Sequence, residues 1–245
     1  AEPNGYTILF STASTGVINQ VIMKNLPYDF QKDFSMIALI ANAPHLLVVN
    51  ANLPIKNLNE LIALAKQNPG KLSFASAGAG SIVQMGGELF KYQSGIDILH
   101  VPYKGIADVV KDLIGGQVDI FMTPYGAAQV ELAKSGKIKF IAALSPGRGP
   151  LMPQLASTTE SKALKTFTAE IGTGYFVKRD TPEPIVQALH KAIQSVIGDA
   201  EFKTSMVAMG QEVSALQSLE VANKAFVDET TQYRAIGKSI NLQPQ

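Results

Sequence analysis

Ser76, Gly78, Gly80 and Ser81, within the segment LSFASAGAGS at 72–81, are the residues whose types and spacing best fit chemistry with an anion. The segment reads as a buried strand, a glycine-rich turn and a helix start in direct succession. Gly78 and Gly80 remove the Cβ atoms that keep a ligand off the main chain, and the first turn of a helix leaves N–H groups without internal partners. Such donors suit a carboxylate or a phosphate. The hydroxyls of Ser76 and Ser81 add hydrogen-bonding capacity, and Ser81 is placed to cap a helix carrying Ile82, Met85 and Leu89 on one face. Two familiar anion loops are excluded. A dinucleotide fingerprint needs glycine where this chain has Val83, and a P-loop needs Lys and then Ser or Thr where it has Ser81 and Ile82. The competing reading is a tight strand-to-helix turn that holds nothing.

Other polar positions are weaker candidates. Ser11, Thr12, Ala13 and Ser14 form a hydroxyl-rich loop after a β-prone run at 6–10, and Thr123 follows a strand at 118–122, where ligand contact competes with a plain helix cap. His45, His100 and His190 fall into no metal-ligand spacing, so neither a metal nor a cofactor is expected. Lys104, in the turn Tyr103-Lys104-Gly105, reads as a solvated cation in preference to a ligand contact. Asp108, Asp112 and Asp119 read as surface or capping residues. A hydrolase or transferase built on the glycine-rich loop is disfavoured. The chain has no G-x-S-x-G elbow, no histidine recognisably placed to activate Ser76 or Ser81, and hence no residue assigned to catalysis.

The elements that must position these residues alternate. A capping pair, Asn57 and Glu60, opens a helix through Lys66 that Asn68-Pro69-Gly70 stops, and the glycine-rich strand follows. Strands are then expected at 96–103, 118–122, 138–144 and 174–178, with helices at about 107–114, through Lys134, after Thr181-Pro182 and at 219–236. Strand–helix alternation implies an α/β fold with a parallel sheet, whose ligands sit beyond the carboxyl ends of strands where strand order reverses.

Of the 245 residues 46% are apolar, ample for a packed core in one large or two modest domains. A formal charge of +1, with charges scattered singly, offers no basic stripe for nucleic acid. The absence of cysteine excludes thiolate chemistry and disulfides, and no apolar run is long enough to span a bilayer. Ala1-Glu2-Pro3-Asn4-Gly5 carries no signal-peptide features, so an export signal, if the natural protein has one, does not lie in this chain.

Several segments, in order, resemble the Bug family, the extracytoplasmic solute receptors of tripartite tricarboxylate transporters. They are NGYTILFSTAS at 4–14, NLPYDFQKDFSMIALIANAPHLLVVN at 25–50, LSFASAGAGS at 72–81, GELFKYQSGIDILHVPYKG at 87–105, LIGGQVDIF at 113–121, and the stretch from Thr181 to the end. The resemblance implies a type II periplasmic-binding-protein fold. Two α/β lobes with parallel-rich sheets, 1–44 with 171–245 and 45–170, would be joined by crossing strands at 46–50 and 174–178 and would close on a solute in the cleft. It implies a monomeric receptor and no enzyme, working in the periplasm, which captures a small mono- or dicarboxylate and hands it to membrane transporter subunits. A sensory module signalling to a membrane partner is the alternative. The family's ligand positions fall on Ser76, Ala77, Gly78, Gly80 and Ser81 in one lobe and on 11–14 in the other.

The chain departs from the family pattern in three places. Two strand–helix units that the pattern places ahead of Tyr6 are absent from this sequence, so the natural protein is expected to start earlier. Thr123 stands where many relatives place an acidic residue, which favours a plain carboxylate over an amino acid as ligand. Ile171-Gly172-Thr173-Gly174 replaces a tryptophan-containing loop and leaves more room.

Overall fold

The computed structural model describes residues 1–12, 14–78 and 81–239. The chain folds into two compact units, Ala1–Ala43 with Ile171–Gln245, and Pro44–Glu170. The strands are β1 (Leu9–Thr12), β2 (Phe34–Asn50), β3 (Ser73–Ser76), β4 (Leu99–Pro102), β5 (Ile120–Pro124), β6 (Ile138–Ala143), β7 (Glu170–Lys178) and β8 (Glu212–Val213). The helices are α1 (Asn19–Ile22), α2 (Phe30–Asp33), α3 (Leu58–Gln67), α4 (Ile82–Ser94), α5 (Ile106–Gly115), α6 (Ala127–Lys134), α7 (Glu183–Gly198), α8 (Ala200–Ala208) and α9 (Leu219–Ser239).

The second unit carries its sheet in the order β4-β3-β5-β2-β6. β3 is parallel to β4 and to β5, while β2 is antiparallel to both β5 and β6, so four strands share one direction and β2 alone opposes them. After β3 the chain steps outward to β4 and then returns across β3 to β5. Strand order therefore reverses at β3, the position at which an open α/β sheet forms a crevice beyond its strand ends.

Each face of this sheet is packed. Leu46, Val48, Ala75, Val109, Leu113 and Phe121 form a buried cluster on the side of α5, whereas Phe74 turns to the other side and lies beneath Gly87 of α4. α3 begins where Asn57 accepts from the Glu60 N–H at 3.0 Å while the Glu60 carboxylate accepts from the Lys56 N–H at 2.7 Å, so helix-start donors are satisfied by side chains. α5 ends against Asn50, whose buried amide donates to the Leu113 carbonyl at 2.6 Å.

In the first unit β7 lies between β1 and β2, and α9 closes the core with an aromatic cluster. The Phe30 ring stands 4.9 Å from Phe176 and 5.5 Å from Phe226, centroid to centroid.

Several boundaries differ from the sequence reading. The strand expected at 46–50 is the end of β2, which runs from Phe34. Pro44 interrupts its pattern, but a proline forfeits only a donor, and its carbonyl still accepts from the Tyr125 N–H at 2.8 Å. The loop expected at 171–174 belongs to β7, where Ser11 pairs with Gly174 and Thr12 with Thr173. The β-prone run at 6–10 forms its strand at Leu9–Thr12. α8 and β8 were not expected. α8 has no buried residue to mark a period, and its start is held by the Asp199 carboxylate, which accepts from the Phe202 N–H at 2.8 Å.

A Cβ added at Gly87 would overlap the Phe74 ring. Gly87→Ala is therefore expected to destabilise the protein by about 1–3 kcal/mol through overpacking, read as a lower urea midpoint at unchanged slope.

Candidate ligand-binding site

The turn after β3 is pinned before it begins. The Asp119 carboxylate accepts from the Ser73 N–H at 2.8 Å and from its hydroxyl at 3.1 Å, and at the far end of β3 the Tyr103 N–H donates to the Ser76 carbonyl at 2.9 Å. Beyond Ser76 the chain leaves the sheet through Gly78, whose φ of +124° is one that L side chains rarely adopt. A Cβ there would have ordinary room, 3.6 Å from the Tyr103 carbonyl oxygen, so conformation and not space calls for glycine.

α4 then starts at Ser81. Its hydroxyl accepts from the Gln84 N–H at 3.2 Å and its carbonyl from the Met85 N–H at 3.0 Å. Helix geometry leaves the N–H groups of Ile82 and Val83 with no carbonyl inside the helix. No acidic residue stands in this first turn, and the whole stretch 72–87 is uncharged. An anion at this helix start is therefore met by main-chain donors and hydroxyls together with the positive end of the helix dipole.

Ser76 sits underneath the turn. It is fully buried, with Oγ 2.7 Å from His100 Nε2, 3.0 Å from the Gly78 carbonyl oxygen and 3.3 Å from the Gly78 nitrogen. No local pattern in the sequence places a histidine against Ser76. The parallel register that sets Phe74 beside His100, 26 residues apart, brings one there. The imidazole stacks on Phe74 at 4.8 Å, and burial, the dominant cause, holds its pKa below the ordinary histidine value. A serine hydroxyl against an imidazole has the outline of a nucleophile and its base. Here the hydroxyl has no exposure, and the other ring nitrogen faces the Gln84 amide at 3.4 Å where an activating pair would have a carboxylate.

The remaining expected positions spread over both units. Ala77 and Ser81 are partly exposed beside Gly78, while Gly80 lies outside the described residues. Thr123 is within β5, paired with Leu46, and not in the loop after it. It is buried, accepts from the Gln129 amide at 3.3 Å, and follows the β5 alternation to the α5 side of the sheet, opposite Ser76. In the first unit Ser11 is buried, and Thr12 lines, with Phe10 and Tyr175, an apolar recess of about 790 Å³ beside α7 and α8. Ala13 and the side chain of Ser14 lie outside the described residues. Lys104 is exposed, and the Tyr103 hydroxyl donates to Asp112 at 2.9 Å. Among the described residues no group of histidine and acidic side chains could hold a metal ion.

The fold is that of the periplasmic solute-binding proteins. A family model described as "Tripartite tricarboxylate transporter family receptor" matches residues 1–242. Periplasmic binding protein BugD is 30% identical and superposes with a TM-score of 0.75, all of this chain covering 81% of that one. A structure from R. palustris with adipate is 26% identical, TM-score 0.79, with 100% of this chain and 81% of the other covered. MatC from Rhodopseudomonas palustris with bound malate is 26% identical, TM-score 0.72, over 97% of this chain and 81% of that one. The chain belongs to the tripartite tricarboxylate transporter receptors of the Bug type, with an α/β periplasmic-binding-protein fold. Members of this family are binding proteins and not enzymes.

Ser81→Ala removes the acceptor that satisfies Gln84 at the start of α4. It is expected to lower stability by about 1 kcal/mol, and Ser81→Asp, which restores an acceptor, to recover most of that in the same denaturation measurement.

Proposed function

We propose that this protein is a periplasmic receptor that captures a small mono- or dicarboxylate and delivers it, as a monomer, to the membrane subunits of a tripartite tricarboxylate-type transporter. The observation that carries this reading is the β3–α4 turn: a helix start with two main-chain donors unused by the helix, a serine cap and a positive-φ glycine, in an uncharged segment. The structural neighbours solved with adipate and with bound malate support it. On this reading Ala77, Gly78, Gly80 and Ser81 meet a carboxylate directly, and Ser76 shapes the turn from below. Thr123 lies on the α5 side of the sheet and is not assigned a ligand contact.

Adipate, malate and a panel of other short organic acids are to be titrated into the protein by calorimetry and in a thermal-shift series. At least one should raise the melting temperature progressively with its concentration, as a solute bound only to the folded state does. Gly78→Ala, which forces an L residue to φ +124°, should weaken that acid by about tenfold or more. A panel of mono-, di- and tricarboxylates without a single stabilising member would refute the proposal.

A further inference from the structure

The HVPYKG motif at 100–105 is specific to the family resemblance, yet its lysine is solvated and its tyrosine is tied to Asp112. Its histidine is a different matter. Three hydrogen bonds meet at Ser76 Oγ and a fourth reaches the far nitrogen of the imidazole, and for a neutral ring only one set of proton positions satisfies all four. The Gln84 amide nitrogen, a donor, faces His100 Nδ1 at 3.4 Å, so Nδ1 accepts and the neutral ring carries its proton on Nε2. Nε2 then donates to Ser76 Oγ across 2.7 Å, which leaves the single Ser76 proton to donate to the Gly78 carbonyl at 3.0 Å. The Gly78 N–H donates back to Ser76 Oγ at 3.3 Å. The opposite tautomer would draw the Ser76 proton to His100 and leave the Gly78 carbonyl without it.

We propose that His100 is a positioning residue of the ligand-binding turn: donating from Nε2, it orients the Ser76 hydroxyl so that both main-chain groups of Gly78 are held, fixing the shape in which the turn meets a carboxylate. The inference rests on the reading of this turn as the binding site. It explains why a buried serine ends β3 while Ser81 meets the surface, and it gives the glycine-rich turn a cause of rigidity outside its own sequence. A turn already held in its bound shape has less conformational freedom to lose on binding.

Burial, the largest cause, lowers the imidazole pKa and so favours the neutral ring. The charged groups that act on it are Glu88, which favours the imidazolium, and Lys91, which opposes it, and these two pair with each other at 3.4 Å on α4. Because the folded-state pKa is depressed, the folded protein binds a proton here less readily than the unfolded chain. The stabilising contribution is present above the unfolded value of about 6.5 and fades as pH falls below it.

The test uses the whole chain. Long-range ¹H–¹⁵N spectra of histidine-labelled protein are expected to show His100 as the Nε2–H tautomer at pH 7, and the Nδ1–H tautomer would overturn the proposal. His100→Phe keeps a ring on Phe74 without a donor, whereas His100→Gln returns an N–H near the Nε2 position. Calorimetry with adipate and with malate is expected to show about tenfold or greater weakening in the phenylalanine variant and recovery to within about threefold in the glutamine variant. The Gly78 amide resonance should shift in the first and return in the second. Equal affinity and an unmoved Gly78 amide in both folded variants would overturn the proposal. If wild-type protein binds neither acid, the choice of probes fails, and the tautomer and the Gly78 amide still decide the role of His100.

Discussion

The close approach of α4 to β3 is the constraint from which the rest of the second unit follows. Phe74 fills the space where a side chain at position 87 would stand, and His100 stacks on the same ring. One aromatic side chain thus sets both the height of the helix above the sheet and the place of the imidazole. The chain leaves the strand after Ser76 through Gly78 at positive φ, and the first turn of α4 begins at Ser81 with N–H groups that no carbonyl within the helix can take.

The proposed binding turn carries no charge, which suits a receptor. A buried lysine or arginine would have to be desolvated in the empty protein and would favour tight, geometrically fixed ion pairing. Main-chain amides and hydroxyls carry no such cost when empty and fit a carboxylate on acids of different length.

Much was legible from local pattern. The Asn57–Glu60 start of α3, the serine cap of α4 and the amphipathic course of α9 rest on residues within a turn or two of one another, so their physics is contained in a short window. Boundaries failed where a partner decides them. Pro44 looks like a strand breaker until a neighbour uses its carbonyl, and 171–174 looks like a loop until β1 pairs with it. Thr123 stays in its strand because β2 runs beside it, a neighbour 77 residues away in sequence.

The order of residues alone pointed to a strand, a glycine-rich turn and a helix capped by Ser81 in direct succession from Leu72, because each of these is a property of a few neighbouring side chains and of backbone sterics. It also identified the family, because the matching segments keep their order along the whole chain. The role of Ser76 was decided only by the folded sheet. Whether a hydroxyl faces a solute or lies beneath the loop depends on which strand pairs alongside and in what register. The pairing of β3 with β4 places an imidazole behind it that no local pattern could reveal.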